Sequence, residues 1–261
     1  MDEGTKDTGL NSQPTVSIHR GKKSHARRVL LYGPGGVGKS TWAAGAWKPL
    51  FLKCENGVDD LDVASVPIEG AYKTWPQFFS DLQELCNNPP LYDFSTLVID
   101  SLDWLEKIIW QDICAEHGQS DISEFSWGKG YGLASQHWRK VIKTLDLARE
   151  NGIFVVLLAH SKIERFESPD TDSFDRYSVN LDKRAAAICV EWVDECLFAN
   201  FRTAVRESGE GVHKKKKGIG TGRYLLTTNR PTAVAKSRLQ MPDEIDLSFA
   251  AYAEHVTKNE S

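Results

Sequence analysis

The sequence predicts an α/β fold in which a mostly parallel central sheet is flanked by helices. Three observations carry this reading. Short apolar runs alternate with segments whose apolar residues recur at helical spacing, the pattern of strands buried between two helical layers. A glycine-rich stretch, Gly33-Pro34-Gly35-Gly36-Val37-Gly38-Lys39-Ser40, joins one apolar run to a helical segment. A further apolar run, Leu97-Val98-Ile99, ends abruptly in Asp100.

The elements follow in order. Strands are expected at 28–32, 50–54, 95–99 and 153–159, and helices at 39–46, 75–87, 102–117 and 133–151. Within 102–117, Leu102, Leu105, Ile109 and Ile113 mark one buried face. Trp104, Trp110, Trp138 and Trp192 fall in helical segments and read as core. Past His160, the stretch 161–181 reads as a long polar loop, of the kind that is functional or disordered. Residues 182–192 suit a helix, 195–206 and 223–229 two strands around a basic loop, and 247–256 a short amphipathic helix.

The chain of 261 residues divides into a polar, basic tail at 1–26 and one domain over 27–261, long enough for a substantial core. With 41% hydrophobic and 26% charged residues, chain-wide disorder, collagen-like repeats and a disulfide scaffold are excluded. The longest wholly apolar run, 153–159, is too short to span a bilayer, and the polar opening does not resemble a signal peptide. Five cysteines without a CxxC pair point to reduced thiols and a cytoplasmic setting. Cys189 and Cys196 are too isolated to suggest zinc. The net charge of -4 argues against a surface coated with nucleic-acid-binding charge, but leaves room for local patches.

Residues 33–40 fit G-x-x-x-x-G-K-[ST], and Thr41 follows. That spacing lets glycine backbone wrap a phosphate with inward N–H groups while the following helix adds its positive end. Lys39 would reach the outer phosphates, and the Ser40 hydroxyl would ligand Mg²⁺. Asp100, closing an apolar strand, suits the carboxylate that orients metal-bound water, although a helix-capping aspartate looks the same. Ser101 follows it, so the attacking water needs a base from elsewhere. Glu55 is the first candidate, ending the strand 50–54, and Asp103 is its rival, equally suited to serving the helix dipole. No NKxD-type guanine-reading motif occurs, which favours ATP.

Taken in order, the phosphate loop, Phe51-Leu52-Lys53-Cys54-Glu55-Asn56-Gly57 with Asp59 and Asp60, and Leu97-Val98-Ile99-Asp100-Ser101 are similar to the core of RecA-type ATPases. The chain resembles the single-domain RecA-like ATPases of bacteriophage recombination modules over about 27–240. The resemblance implies a RecA-like P-loop core, a catalytic carboxylate at Glu55 and a polar sensor at His160, where RecA itself has glutamine. It implies two DNA-facing loops, 119–131 with Phe125, Trp127, Lys129 and Tyr131, and 161–181 with Lys162, Arg165 and Arg176; Glu164, Glu167, Asp170, Asp172 and Asp175 make the second roughly neutral, which suits a partner contact or disorder equally. Lys236 and Arg238 resemble the basic pair that such subunits push into a neighbour's ATP site, which requires a homo-oligomer; two ordinary surface cations read the same way. Lys183 and Arg184 stand in reserve.

Lys214-Lys215-Lys216-Lys217 is the densest positive run, either a solvated hairpin tip or a contact to nucleic-acid backbone, with 20–28 as a second basic segment. The function expected is an ATP- and Mg²⁺-dependent ATPase of DNA recombination. It would bind single-stranded DNA, assist annealing or strand exchange, and possess a single-strand-binding protein as a candidate partner. Two alternatives stay open, a P-loop kinase of a small acceptor and a nucleotide-gated module that does not hydrolyse ATP, such as a helicase loader.

Overall fold

The computed structural model describes residues 17–18, 20–21, 25–168, 172–208 and 215–260, without the side chains of 203–221 and Glu260. Across the sheet the order is β3 (Ala64–Val66), β2 (Pro49–Lys53), β4 (Thr96–Asp100), β5 (Phe154–Phe166), β1 (Arg28–Gly33), β7 (Glu195–Ser208), β8 (Lys215–Leu226) and β9 (Glu244–Asp246). The first six run parallel, and β8 and β9 extend the sheet antiparallel. A further strand, β6 (Phe174–Val179), folds back on the outer half of β5. Helices α1 (Lys39–Ala44) and α6 (Phe249–Glu260) pack on one face. On the other lie α2 (Trp75–Asn87), α3 (Leu102–His117), α4 (Lys129–Glu150) and α5 (Lys183–Trp192).

The two-layer burial explains the continuous apolar runs. Side chains alternate along a strand, so Val29 and Leu31 pack towards α1 and α6, while Leu30 and Tyr32 face the other layer. Neither face meets solvent, and all four are fully buried. Helix α2 starts with Pro76 in its first turn, where the missing N–H costs nothing. Helix α3 stops at Gly118, which takes the left-handed conformation.

Four expectations are corrected. Helix α4 begins at Lys129 rather than 133, so Lys129 and Tyr131 belong to a helix and not to a loop. Gly130 and Gly132 have poor helix propensity, yet a Cβ at Gly130 would come within 2.8 Å of Ile122; close packing overrides propensity there. The stretch past His160 is a hairpin, with Lys162 opposite Ser178 and Glu164 opposite Arg176. Its cross-strand partners supply what a loop lacks: Phe166 meets Phe174 at 5.4 Å, and the Arg176 guanidinium lies over the Phe166 ring. Trp104 is 41% exposed rather than core, with the Lys107 ammonium 3.8 Å from its ring centre. The basic segment 20–28 turns inward at its end, since Arg27 pairs with Glu195 and Arg28 with Asp194.

That last cluster closes the starting end of β1. Asp194 accepts from the Arg28 backbone N–H at 3.1 Å and from its guanidinium at 2.9 and 3.2 Å, and Arg238 adds a contact at 3.1 Å. Removing one partner of a buried ion pair strands the other. Asp194→Ala is therefore expected to cost about 3 kcal/mol, read as a lowered urea midpoint with an unchanged slope.

Candidate active site

The glycine-rich loop leaves β1 and enters α1 directly, Lys39 being the first helical residue. Two glycines in it are required by geometry. Gly38 sits at φ 109°, in the left-handed region. A Cβ at Gly33 would lie 2.3 Å from the Ala199 carbonyl oxygen, because β7 passes against the loop. Lys39 is buried and its ammonium donates to the carbonyls of Gly33 and Pro34, both at 3.2 Å. Burial lowers its pKa, opposed by the charges of Asp100, Glu55 and Asp103.

Strand order brings the other elements to the same edge. β4 is separated from β1 only by β5, so Asp100 and Gly33 emerge at the carboxyl ends of their strands, where ligands bind in α/β sheets, level with the middle of β5, where His160 pairs with Gly33. The Ser40 hydroxyl donates to Asp100 Oδ2 at 2.7 Å. Burial pushes the Asp100 carboxyl up to about 6, against the Ser40 hydrogen bond. This hard-oxygen pair beside a lysine fits Mg²⁺ by donor chemistry, and a bound cation would favour the ionised carboxylate. Cys54 and Glu55 donate their backbone N–H groups to the Asp100 carbonyl at 2.7 and 3.3 Å, which holds half-buried Glu55 beside the cluster. Asp59 is engaged elsewhere, accepting from buried Lys53 at 3.3 Å.

Asp103, the rival base, has a different task. It accepts from the His160 backbone N–H at 3.0 Å and contacts the ring Nδ1 at 3.0 and 3.2 Å. Burial pushes the Asp103 carboxyl up, but the hydrogen bonds from His160 outweigh it and hold the group below its ordinary value. The same bond raises the His160 imidazole above 6.5, against burial and the Lys39 charge. The raised His160 contributes stability that is complete below pH 6.5 and fades as pH rises through its folded value. The depressed Asp103 contributes above 3.8 and loses it as pH falls through its own folded value. Between those limits the pair is strongest. Asp103→Asn is expected to bring the His160 titration down, seen in its ring-proton NMR shift, and to cost about 1.5 kcal/mol near pH 6.

Several residues at this end escaped the sequence reading. Arg223 donates to the Val37 carbonyl at 3.0 Å and lies against Gly38; only its position after glycines at the start of an apolar run hinted at it. It lines a cavity of about 350 Å³ with Gly38, Thr41, Trp42 and Phe249, continuous with the phosphate loop. The buried Trp42 indole N–H there has no hydrogen-bond partner. A second cavity of about 600 Å³ opens beside Glu55, lined by Asn56, Tyr72, Trp104 and Gln111.

The remaining candidates lie apart. Lys236 and Arg238 sit at the starting end of β1's neighbour β7, whereas the phosphate loop follows β1's last residue. Lys236 donates to the Glu191 carbonyl at 3.2 Å. Trp127 is 97% exposed, and Lys129, two residues on at the start of α4, is exposed as well. Lys162 donates to the Leu181 carbonyl at 2.6 Å, and Arg165 pairs with Asp175 at 3.8 Å. Arg184 lies over the Tyr131 ring at 5.8 Å. Lys214 and the side chains of Lys215, Lys216 and Lys217 lie outside the described residues. No helix among the described residues is long and apolar enough to cross a membrane.

No protein of curated function matches the sequence. Among solved structures, the flagellar accessory protein FlaH from Methanocaldococcus jannaschii is similar at TM-score 0.37 and 9% identity, over 81% of this chain and 87% of its own. A KaiC-like protein from Pyrococcus horikoshii OT3 gives TM-score 0.38 and 14% identity, over 77% and 85%. A family described as AAA domain matches residues 25–239. That span contains the phosphate loop, Glu55, Asp100 and His160, and the chain belongs to this AAA domain family of ATP-binding, ATPase-type P-loop proteins.

Proposed function

We propose that the protein is a Mg²⁺-dependent ATPase of DNA recombination that binds single-stranded DNA and assists annealing or strand exchange, as in the phage RecA-like ATPases it resembles. The observation that carries the ATPase reading is the Ser40–Asp100 hydrogen bond beside Lys39 and Glu55. In this reading Ser40 and Asp100 would hold Mg²⁺, which would supply neutralising charge to the outer phosphates. Lys39 gives up its contacts with Gly33 and Pro34 for the phosphate oxygens. Glu55 takes the proton of the attacking water, and His160, oriented by Asp103, presents its other ring nitrogen to the site. The cavity beside Arg223 and Trp42 would receive the purine. Lys236 and Arg238 are offered to a neighbouring copy in a homo-oligomer, once Arg238 leaves Asp194.

Exposed Trp127 and the cations of 129–184 support single-strand contact by stacking and backbone charge. ATP turnover is expected to rise on adding oligothymidylate. Its affinity should fall at least about tenfold between roughly 50 and 200 mM salt. No binding at low salt in any nucleotide state would sink the DNA reading. The cavity beside Glu55 favours one other reading, a P-loop kinase whose small acceptor sits there; a phosphorylated acceptor instead of free phosphate among the products would establish it.

A further inference from the structure

Beneath the β5–β6 hairpin lies a cavity of about 260 Å³, separate from those at the phosphate loop. Its roof is one face of the hairpin, carrying Lys162, Glu164, Arg176 and Ser178, and its floor is α5, with Lys183, Ala187 and Val190. The strand register explains this gathering. Lys162 faces Ser178 and Glu164 faces Arg176 across the ladder, and residues two apart share a face. Three cations thus surround a small cavity against one carboxylate.

Two polar atoms here lack partners. The Ser178 hydroxyl is buried in a residue only 7% exposed, and the Arg176 Nε is buried as well; neither makes a hydrogen bond. Unsatisfied buried donors are uncommon in native proteins and call for a missing partner. Glu164 does not fill that role, since its recorded ion contact is with Lys162 at 3.9 Å. The apolar floor contributes no acceptor. Three cations against one carboxylate favour an anion, and a tetrahedral phosphate, smaller than the cavity, brings acceptors that Arg176, Lys183 and, once its side chain turns, the Ser178 hydroxyl can meet.

We infer that this cavity is a second phosphate site, distinct from the nucleotide site, with Arg176, Ser178 and Lys183 as its binding groups. The phosphate is either free or part of a single strand's backbone. The inference stands on the cavity and does not need the single-strand reading. Strand β5 also links it to the nucleotide: Lys162 is two residues beyond His160.

The test uses the full chain with Mg²⁺ and a non-hydrolysable ATP analogue at saturation, so that the phosphate loop is filled. Inorganic phosphate is then titrated and followed by phosphorus NMR line width. Saturable binding is expected, weakened about tenfold by Arg176→Gln or Lys183→Gln with circular dichroism unchanged. Ala187→Phe, which fills the cavity without altering charge, is expected to weaken it comparably. Absence of saturable binding, or binding indifferent to all three variants, overturns the site. Displacement of phosphate by oligothymidylate assigns it to a phosphodiester, and retention assigns it to free phosphate. Strand binding that ignores these variants, with no phosphate bound, would remove this site and leave the single-strand reading intact.

Discussion

Lys39→Ala is expected to weaken Mg·ATP binding at least about a hundredfold and to lower turnover by about a thousandfold or more, the scale of losing a charged contact to developing phosphoryl charge. The Lys39 ammonium is buried and donates only to two loop carbonyls, so phosphate oxygens can take over its hydrogen bonds without reshaping the loop. Alanine suits helix α1, and the fold should survive, which circular dichroism will check. Calorimetric titration with ATP and Mg²⁺ measures the binding loss, and phosphate release measures the turnover. Wild-type affinity in this variant would mean that the loop does not hold the nucleotide.

Glu55→Gln is expected to separate the two quantities. Glutamine keeps the size and hydrogen-bonding reach of the side chain but cannot accept a proton at neutral pH, so turnover should fall by about 10²- to 10⁴-fold. ATP affinity should stay within about threefold, because the backbone N–H that anchors the residue to the Asp100 carbonyl is untouched. Full activity in this variant would move the base elsewhere. Asp103 would be a poor substitute, since both its oxygens are taken by His160.

The parallel core was legible because two-sided burial writes itself as uninterrupted apolar runs. Val29-Leu30-Leu31-Tyr32 and 153–159 needed no other cue. The phosphate loop was legible for a different reason: its spacing is dictated by the phosphate it must wrap. What stayed hidden depends on contacts between distant segments. The glycines at 130 and 132 argue against a helix until Ile122 is brought against Gly130. Phe166 and Phe174 are unremarkable until β5 and β6 pair and set them opposite each other. Arg223 reaches the loop from 186 residues away, and Asp103 looked like a helix-start acid until His160 came within 3.0 Å. Arg27 and Arg28 read as surface charge because nothing local reveals the acids that neutralise them.

The sheet ends in two very short strands, β3 and β9, each three residues long. β9 carries Glu244 and Asp246 on that margin, and Arg202 and Arg230 both bond Glu244. Such borders offer almost no run of free backbone to an incoming strand and greet it with charge. Stacking copies by backbone addition is thereby disfavoured at these two margins, and any such addition is left to the part of β8 beyond Tyr224–Leu226, the residues that β9 covers.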